Sequence, residues 1–272
     1  MGNHGGLAES TENLEGVVSL SAVNIEDLFR VPQRIVVTSH RGFSARYPEN
    51  TLVAFEEAVR AGTDLIEFDL RGSRERIPVI LHDSVIDKIS NGSGSPGDYT
   101  LPELKRFDFS SGKNSQALTI PSFEEALQAI PESIGLNIQV KETDQALLLE
   151  ICRLFDTYRL YPRAYLTLST FTGAEAVKKI NAAIEICVLE RKYKLDTGML
   201  KEMKSFGCRY LQPHRRDVTP ELCREIRAMV FYATMYYSNT DADNRRFISY
   251  GMQGIMTDAP DMLAATLKTL GR

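Results

Sequence analysis

The sequence predicts a single (β/α)8 barrel, and three observations carry that prediction. The chain has 272 residues and is 43% hydrophobic, enough to bury one large core. From residue 143 onward it alternates helical patterns with short apolar runs, one after another. The first half adds apolar runs starting at 35, 65, 78 and 135, and merging two of them leaves eight units.

Residues 1–32 read as an N-terminal tail with a possible short capping helix at 24–30 that would close the barrel bottom, and 33–272 as the barrel domain. MGNHGG begins like a myristoylation site, but position 6 is Gly rather than Ser or Thr. IVVTS (35–39) is a β-branched run of buried-strand type. In TLVAFEEAVRAG the apolar Leu52, Phe55, Ala58 and Val59 follow helical spacing; Asn50 is the expected cap and Gly62 the left-handed end.

LIEFDL (65–70) alternates strictly, so Glu67 and Asp69 share a face. PVILHD (78–83) is a further strand. Only RGSRER separates the two, too little for a helical crossover, so the second is a hairpin-like extension or a kinked continuation of the first. Residues 84–119, rich in Gly, Ser and Asp, form a short insertion after the second barrel strand, placed over the mouth. Thr100 with Glu103, and Ser122 with Glu125, form capping boxes for two short helices. GLNIQVK (135–141) puts Asn137, Gln139 and Lys141 on one face. Helices over 143–158, 173–182, 196–206, 219–228 and 241–250 then lead to strands over 164–170, 185–190, 209–213, 230–238 and 254–258. Pro260 opens the closing helix, 259–270. The whole is the pattern of a (β/α)8 TIM barrel.

Composition excludes several classes of partner. Net charge is −4, so no basic surface argues for nucleic acid, and an anionic substrate must be held by local cations. The four cysteines, Cys152, Cys187, Cys208 and Cys223, lack paired metal spacing and read as buried reduced thiols, which suits the cytoplasm. No run approaches the roughly 18 apolar residues of a membrane span, and no signal-peptide pattern opens the chain. Oligomeric state is not encoded in any pattern here.

The chemistry concentrates between His40 and Asp83. Two of the four histidines, His40 and His82, stand at strand ends, with Arg41 beside the first and Glu67 and Asp69 between them. Histidine, with an ordinary pKa of about 6.5, can take or give a proton near neutrality. Arginine grips two phosphate oxygens with a planar fork. Paired carboxylates hold a hard cation. Together these groups are what cleavage of an anionic ester with a metal's help requires. The plainer reading of Glu67 and Asp69 is a buried salt bridge with Arg41 or Lys141. Glu49 is expected to support Arg41, Asn50 only to cap its helix, and His214 to lie on the surface. Tyr236 and Tyr237 fall on opposite faces, one in the core and one lining the pocket.

The set HRG (40–42), PENT (48–51), G-x-D-x-I-E-x-D (62–69), HD (82–83), YTLPELKRFD (99–108), IPSFEEAL (120–127) and GIMTDAP (254–260) resembles the glycerophosphodiester phosphodiesterases over about residues 35–270. The resemblance implies a TIM barrel that splits a glycerophosphodiester, a small-molecule substrate, into glycerol 3-phosphate and an alcohol. It implies one divalent cation, Mg²⁺ or Ca²⁺, and attack by the substrate's own glycerol hydroxyl through a cyclic phosphate. Carried over by motif, His40 and His82 are the acid/base pair, Arg41 and Lys141 hold substrate, and Glu67, Asp69 and Gln139 face the metal. Gln139 stands where the family usually has Glu. YYSN (236–239) stands where it has a Trp-containing element, and Glu75-Arg76 where it has a D-G turn. The alternatives are a lysophospholipase-D-like phosphodiesterase on the same site and a catalytically silent barrel that binds phosphodiesters. Retention of both histidines argues against the silent barrel.

Overall fold

The computed structural model describes residues 22–110 and 116–272. The tail reading for 1–15 and the myristoylation-like start lie outside those residues.

Among the described residues nine strands form: β1 (Val36–His40), β2 (Leu65–Gly72), β3 (Pro78–Ile80), β4 (Gly135–Val140), β5 (Ala164–Leu168), β6 (Ile186–Val188), β7 (Tyr210–Leu211), β8 (Tyr232–Met235) and β9 (Gly254–Thr257). Eight of them run parallel in the order β6-β5-β4-β2-β1-β9-β8-β7, a nearly closed barrel. The ninth, β3, pairs antiparallel with the end of β2, Leu70 opposite Ile80 and Gly72 opposite Pro78. Of the two readings left open for the RGSRER link, the hairpin is the one formed. A strand can reverse through a tight turn, whereas a parallel return needs a crossover of a dozen or more residues.

Parallel register decides which side chains enter the barrel. Thr38 lies beside Leu65, His40 beside Glu67, and Asp69 beside Gln139. The lower interior is filled by Val36, Leu65, Tyr165, Cys187, Tyr210 and Tyr232. The Tyr165 and Tyr210 rings stack with centroids 4.2 Å apart. Helix α1 (Ile25–Arg30) closes this end, with the Ile25 side chain fully buried in the same cluster. It fits because Gly135 leaves room: a Cβ there would come within 2.8 Å of Ile25 Cγ1.

The outer core lies between strands and helices. In it the Phe68 ring contacts Phe55 at 5.6 Å and Phe123 at 5.9 Å. The helices are α2 (Leu52–Arg60), α3 (Leu101–Leu104), α4 (Phe123–Ala129), α5 (Gln145–Thr157), α6 (Phe171–Ile180), α7 (Thr197–Phe206), α8 (Pro220–Ala228), α9 (Asp241–Tyr250) and α10 (Pro260–Thr269). Both predicted capping boxes are present, Thr100 with Glu103 and Ser122 with Glu125. Helix α6 starts two residues earlier than expected because Thr170 accepts a hydrogen bond from the Gly173 amide and sets the boundary. From the insertion, Ile86, Leu104 and Phe109 gather with Val79, Leu81 and Ile120 into a small core of their own. All four cysteines are free and buried, and burial pushes their pKa values up, to about 12 for Cys187, which leaves them unreactive. Among the described residues no helix is long and apolar enough to cross a membrane.

Candidate active site

The barrel brings the predicted residues to the C-terminal ends of β1, β2 and β4. His40 is the last residue of β1, and its Nε2 lies 3.9 Å from Glu67 Oε2. The turn that follows is left-handed twice: Arg41 has φ +56° and Gly42 φ +81°. This aims the Arg41 amide at Glu67 Oε2, 3.1 Å away. Only glycine fits next, since a Cβ on Gly42 would meet the Ala54 backbone at 2.7 Å. The Arg41 side chain donates to Glu49 Oε1 at 2.8 Å, and its Nε stands 3.3 Å from Asp69 Oδ2. The support role expected of Glu49 is what the geometry shows.

Glu67 and Asp69 are almost wholly buried on the interior face of β2. Lys141 follows β4 and places Nζ 2.9 Å from Asp69 Oδ1. The plainer reading is therefore realised in part: Asp69 is paired with Lys141 and Arg41, while Glu67 has only a partly buried histidine and a backbone amide. Their titration follows. Burial and the neighbouring Asp69 raise the Glu67 carboxyl to about 7, against His40, Arg41 and Lys141. Burial also opposes charge on Asp69, but Lys141 and Arg41 outweigh it and hold that carboxyl below its ordinary value.

Asn50 corrects an expectation. The cap of α2 is Thr51, whose hydroxyl accepts from the Ala54 amide at 3.3 Å. Asn50 instead adopts φ +57° and donates from Nδ2 to Asp69 Oδ2 at 3.0 Å. A left-handed Asn is tolerated where its amide gains a local partner, and here the partner is a site carboxylate. His214 differs too: its ring packs 5.9 Å from Tyr236 and is half-buried. Tyr236 and Tyr237 both face the mouth cleft, because β8 ends at Met235 and strand alternation no longer applies.

The two histidines sit in opposite environments. His40 Nδ1 is 2.6 Å from Asp258 Oδ1, and Asp258 is itself held by Asn239 Nδ2 at 2.5 Å and the Ser44 hydroxyl at 3.1 Å. Burial works against a charged His40, but Asp258 and Glu67 win and raise its pKa. His82 Nδ1 is 2.7 Å from Asp83 Oδ1. There burial prevails over the attraction of Asp69 and Asp83, and the pKa falls. Each ring anchors Nδ1, so Nε2 is the nitrogen left to the site. Asp258 and Asn239 were not singled out from sequence, although GIMTDAP and YYSN contain them. Their role depends on β1 and β9 being neighbours.

The residues fit a divalent cation in donor chemistry. Glu67, Asp69 and Gln139 offer oxygens from adjacent positions of β2 and β4. Asp69 Oδ1 is buried with no aligned hydrogen-bond donor among the described residues, and Glu67 is a buried carboxyl short of positive charge. Among the described residues no third His, Cys, Asp or Glu joins the pair. Two acids next to strand ends are engaged elsewhere and do not replace the missing carboxylate: Glu142 with Arg71 at 3.0 Å, and Glu190 with the Phe171 amide at 2.9 Å. Beside these groups His40, Arg41, Tyr236, Tyr237 and Asp258 line a cleft of about 540 Å³.

The sequence model of the Glycerophosphoryl diester phosphodiesterase family matches residues 40–262. The chain is 27% identical over 234 residues to a glycerophosphodiester phosphodiesterase of Bacillus altitudinis, covering 83% of this chain and 95% of the relative. It is 28% identical over 240 residues to one of Caldanaerobacter subterraneus subsp. tengcongensis, covering 85% and 96%. Among solved structures it is similar in fold to an Oleispira antarctica phosphodiesterase in complex with the product sn-glycerol-3-phosphate, with TM-score 0.77, 23% identity and 85% and 96% of the two chains covered.

Proposed function

The chain belongs to the glycerophosphoryl diester phosphodiesterase family and is a phosphoric diester hydrolase; from that premise we propose that it splits glycerophosphodiesters into glycerol 3-phosphate and an alcohol with a histidine pair and a divalent cation. The observation that carries the reading is that His40 and Arg41 meet the buried carboxylates Glu67 and Asp69 at 3.9 and 3.3 Å, with His82 in the field of Asp69, while the His40 pKa is raised and the His82 pKa lowered. Titratable groups pushed apart in this way divide into acid and base.

His82, neutral at neutral pH, accepts a proton at Nε2 from the attacking glycerol hydroxyl. His40, protonated, gives its Nε2 proton to the departing alkoxide. The oxygen–phosphorus bond to glycerol forms as the bond to the alcohol breaks. Water then opens the cyclic phosphate with the two roles exchanged, which returns both histidines to their starting states. Arg41 binds the non-bridging oxygens, held in place by Glu49. Lys141 adds a second positive charge beside Asp69. Glu67, Asp69 and Gln139 would hold Mg²⁺ or Ca²⁺, which when bound withdraws charge from the phosphoryl oxygens.

The test is release of glycerol 3-phosphate from several glycerophosphodiesters, with and without chelator. Activity on the diesters that chelation abolishes and added metal restores is the expected result. Activity on lysophospholipids alone would favour the lysophospholipase-D-like reading. Silence on all of them with metal present would leave a binding barrel.

A further inference from the structure

One cation at the mouth has no part in the chemistry above. Arg191 lies three residues past β6 and is largely buried. Its guanidinium carbon stands 5.4 Å from the centre of the Tyr236 ring. Among the described residues its side chain makes no ion pair and no hydrogen bond. Burial lowers its pKa, yet a guanidinium remains charged in proteins. A half-buried guanidinium with no carboxylate bonded to it can take an anion without first breaking an ion pair.

One neighbour, Arg216, repeats the sign. Arg216 lines the same depression and donates from Nη2 to the Arg191 carbonyl at 3.3 Å. His214 lies against the same Tyr236 ring. The acid in this group, Asp217, stands 3.7 Å from Arg216 Nε. Arg215, in contrast, is paired with Asp243 at 2.6 Å. Arg216 and Asp217 offset each other, and burial with the nearby arginines lowers the His214 pKa, so the unpaired charge here is that of Arg191.

Arg191 and the reacting centre share one neighbour, Tyr236. The Tyr236 ring stands edge-on to His40 with centroids 5.2 Å apart, so one aromatic ring separates the proposed acid from Arg191. For a diester whose leaving oxygen faces His40, one path for the alcohol runs along Tyr236 toward Arg191. The glycerol half carries no second anion, so the group that meets Arg191 belongs to the alcohol.

We propose that Arg191, with Arg216 and His214 beside it, forms a subsite for a second anionic group on the leaving alcohol, and that the enzyme prefers glycerophosphodiesters of phosphorylated alcohols to those of neutral or cationic ones. This rests on the activity proposed above. A charge-assisted hydrogen bond from a partly desolvated arginine is expected to favour such a substrate by about 10- to 100-fold.

The experiment compares kcat/KM of the full chain with metal on three substrates: glycerophosphoglycerol, the same diester with a terminal phosphate monoester, and glycerophosphocholine. The phosphorylated diester should be preferred, mainly through KM, and added salt should erode the preference. Arg191→Gln should collapse the ratio of phosphorylated to neutral substrate by about 10- to 100-fold, and Arg191→Lys should retain much of it. A ratio unmoved by Arg191→Gln, or an equal loss on all three diesters, overturns the subsite and leaves Arg191 as a support for Tyr236. Failure to cleave any of the three would count against the activity itself. Competition binding then decides the subsite separately, and equal affinity for the phosphorylated and neutral diesters overturns it.

Discussion

His40 and Asp258, 218 positions apart, are joined by a contact of 2.6 Å between Nδ1 and Oδ1. The bond ties the end of β1 to the residue after β9, and it makes His40 the more basic of the two site histidines. Asp258→Asn should therefore act through His40. The expected loss in kcat is about 10²- to 10⁴-fold, the range for a group that fixes a catalytic histidine's tautomer and charge. The alkaline limb of the kcat/KM profile should also move to lower pH, since the neighbour that favours the protonated ring is gone. An unmoved limb would separate Asp258 from His40's proton transfer.

The same displacements set the shape of the wild-type profile. In the proposed mechanism His82 is neutral and His40 protonated in the active form. Activity should rise with pH through a value below the ordinary histidine 6.5 and fall through one above it. His40→Ala and His82→Ala should each lower kcat by roughly 10²- to 10⁴-fold with the fold retained. Each should remove its own limb: the alkaline one for His40, the acidic one for His82.

Metal binding should report on Glu67. Its carboxyl is raised from 4.5 to about 7, so a divalent ion must displace a proton below that pH. Affinity for Ca²⁺ or Mg²⁺ should increase as pH rises through about 7 and then level off. The sign for stability is parallel. With a raised folded-state pKa, Glu67 stabilises the metal-free protein at low pH and loses that contribution as pH rises toward 7. Added Ca²⁺ should then raise Tm more at pH 8 than at pH 6. Gln139→Glu adds a third carboxylate in register with Asp69 and should tighten calorimetric metal binding by at least about tenfold. Equal affinities would remove residue 139 from the ligand set.

Asn50 offers a cleaner dissection. Asn50→Gly accepts the positive φ but loses the hydrogen bond to Asp69. A bond to a charged group contributes about 1.5–3 kcal/mol, so a Tm lowered by several degrees and kcat/KM lowered about tenfold are expected. Asn50→Asp, which sets a second carboxylate against Asp69, should be worse in both. A glycine variant with full activity would return Asn50 to a merely structural role.

The far end of the barrel should separate stability from chemistry. Ile25→Ala empties a fully buried site beneath Leu65 and Tyr165 and should cost about 2–5 kcal/mol, measured by denaturant unfolding. Turnover well below Tm should be unchanged, since the site lies at the opposite ends of the strands.

The order of strands and helices was legible in the sequence because the signals for them are local. Strict alternation in LIEFDL places Glu67 and Asp69 on one interior face, and cap residues such as Ser122 and Thr100 mark where helices begin. The motif residues could be named from one dimension because His40, Arg41, His82 and Lys141 sit at or just past strand ends, and Glu67 and Asp69 lie in register with the ends of β1 and β4. What tertiary structure alone decided is which groups oppose which. Closure sets β9 beside β1 and supplies Asp258 to His40. The fold of the turn after β1 diverts Asn50 from capping to Asp69. The end of β8 at Met235 turns both tyrosines toward the mouth and brings Tyr236 against Arg191. Protonation follows from those neighbours. A side chain's chemistry is written in the chain, but its pKa is set by burial and by charges that only the folded barrel brings within a few ångströms.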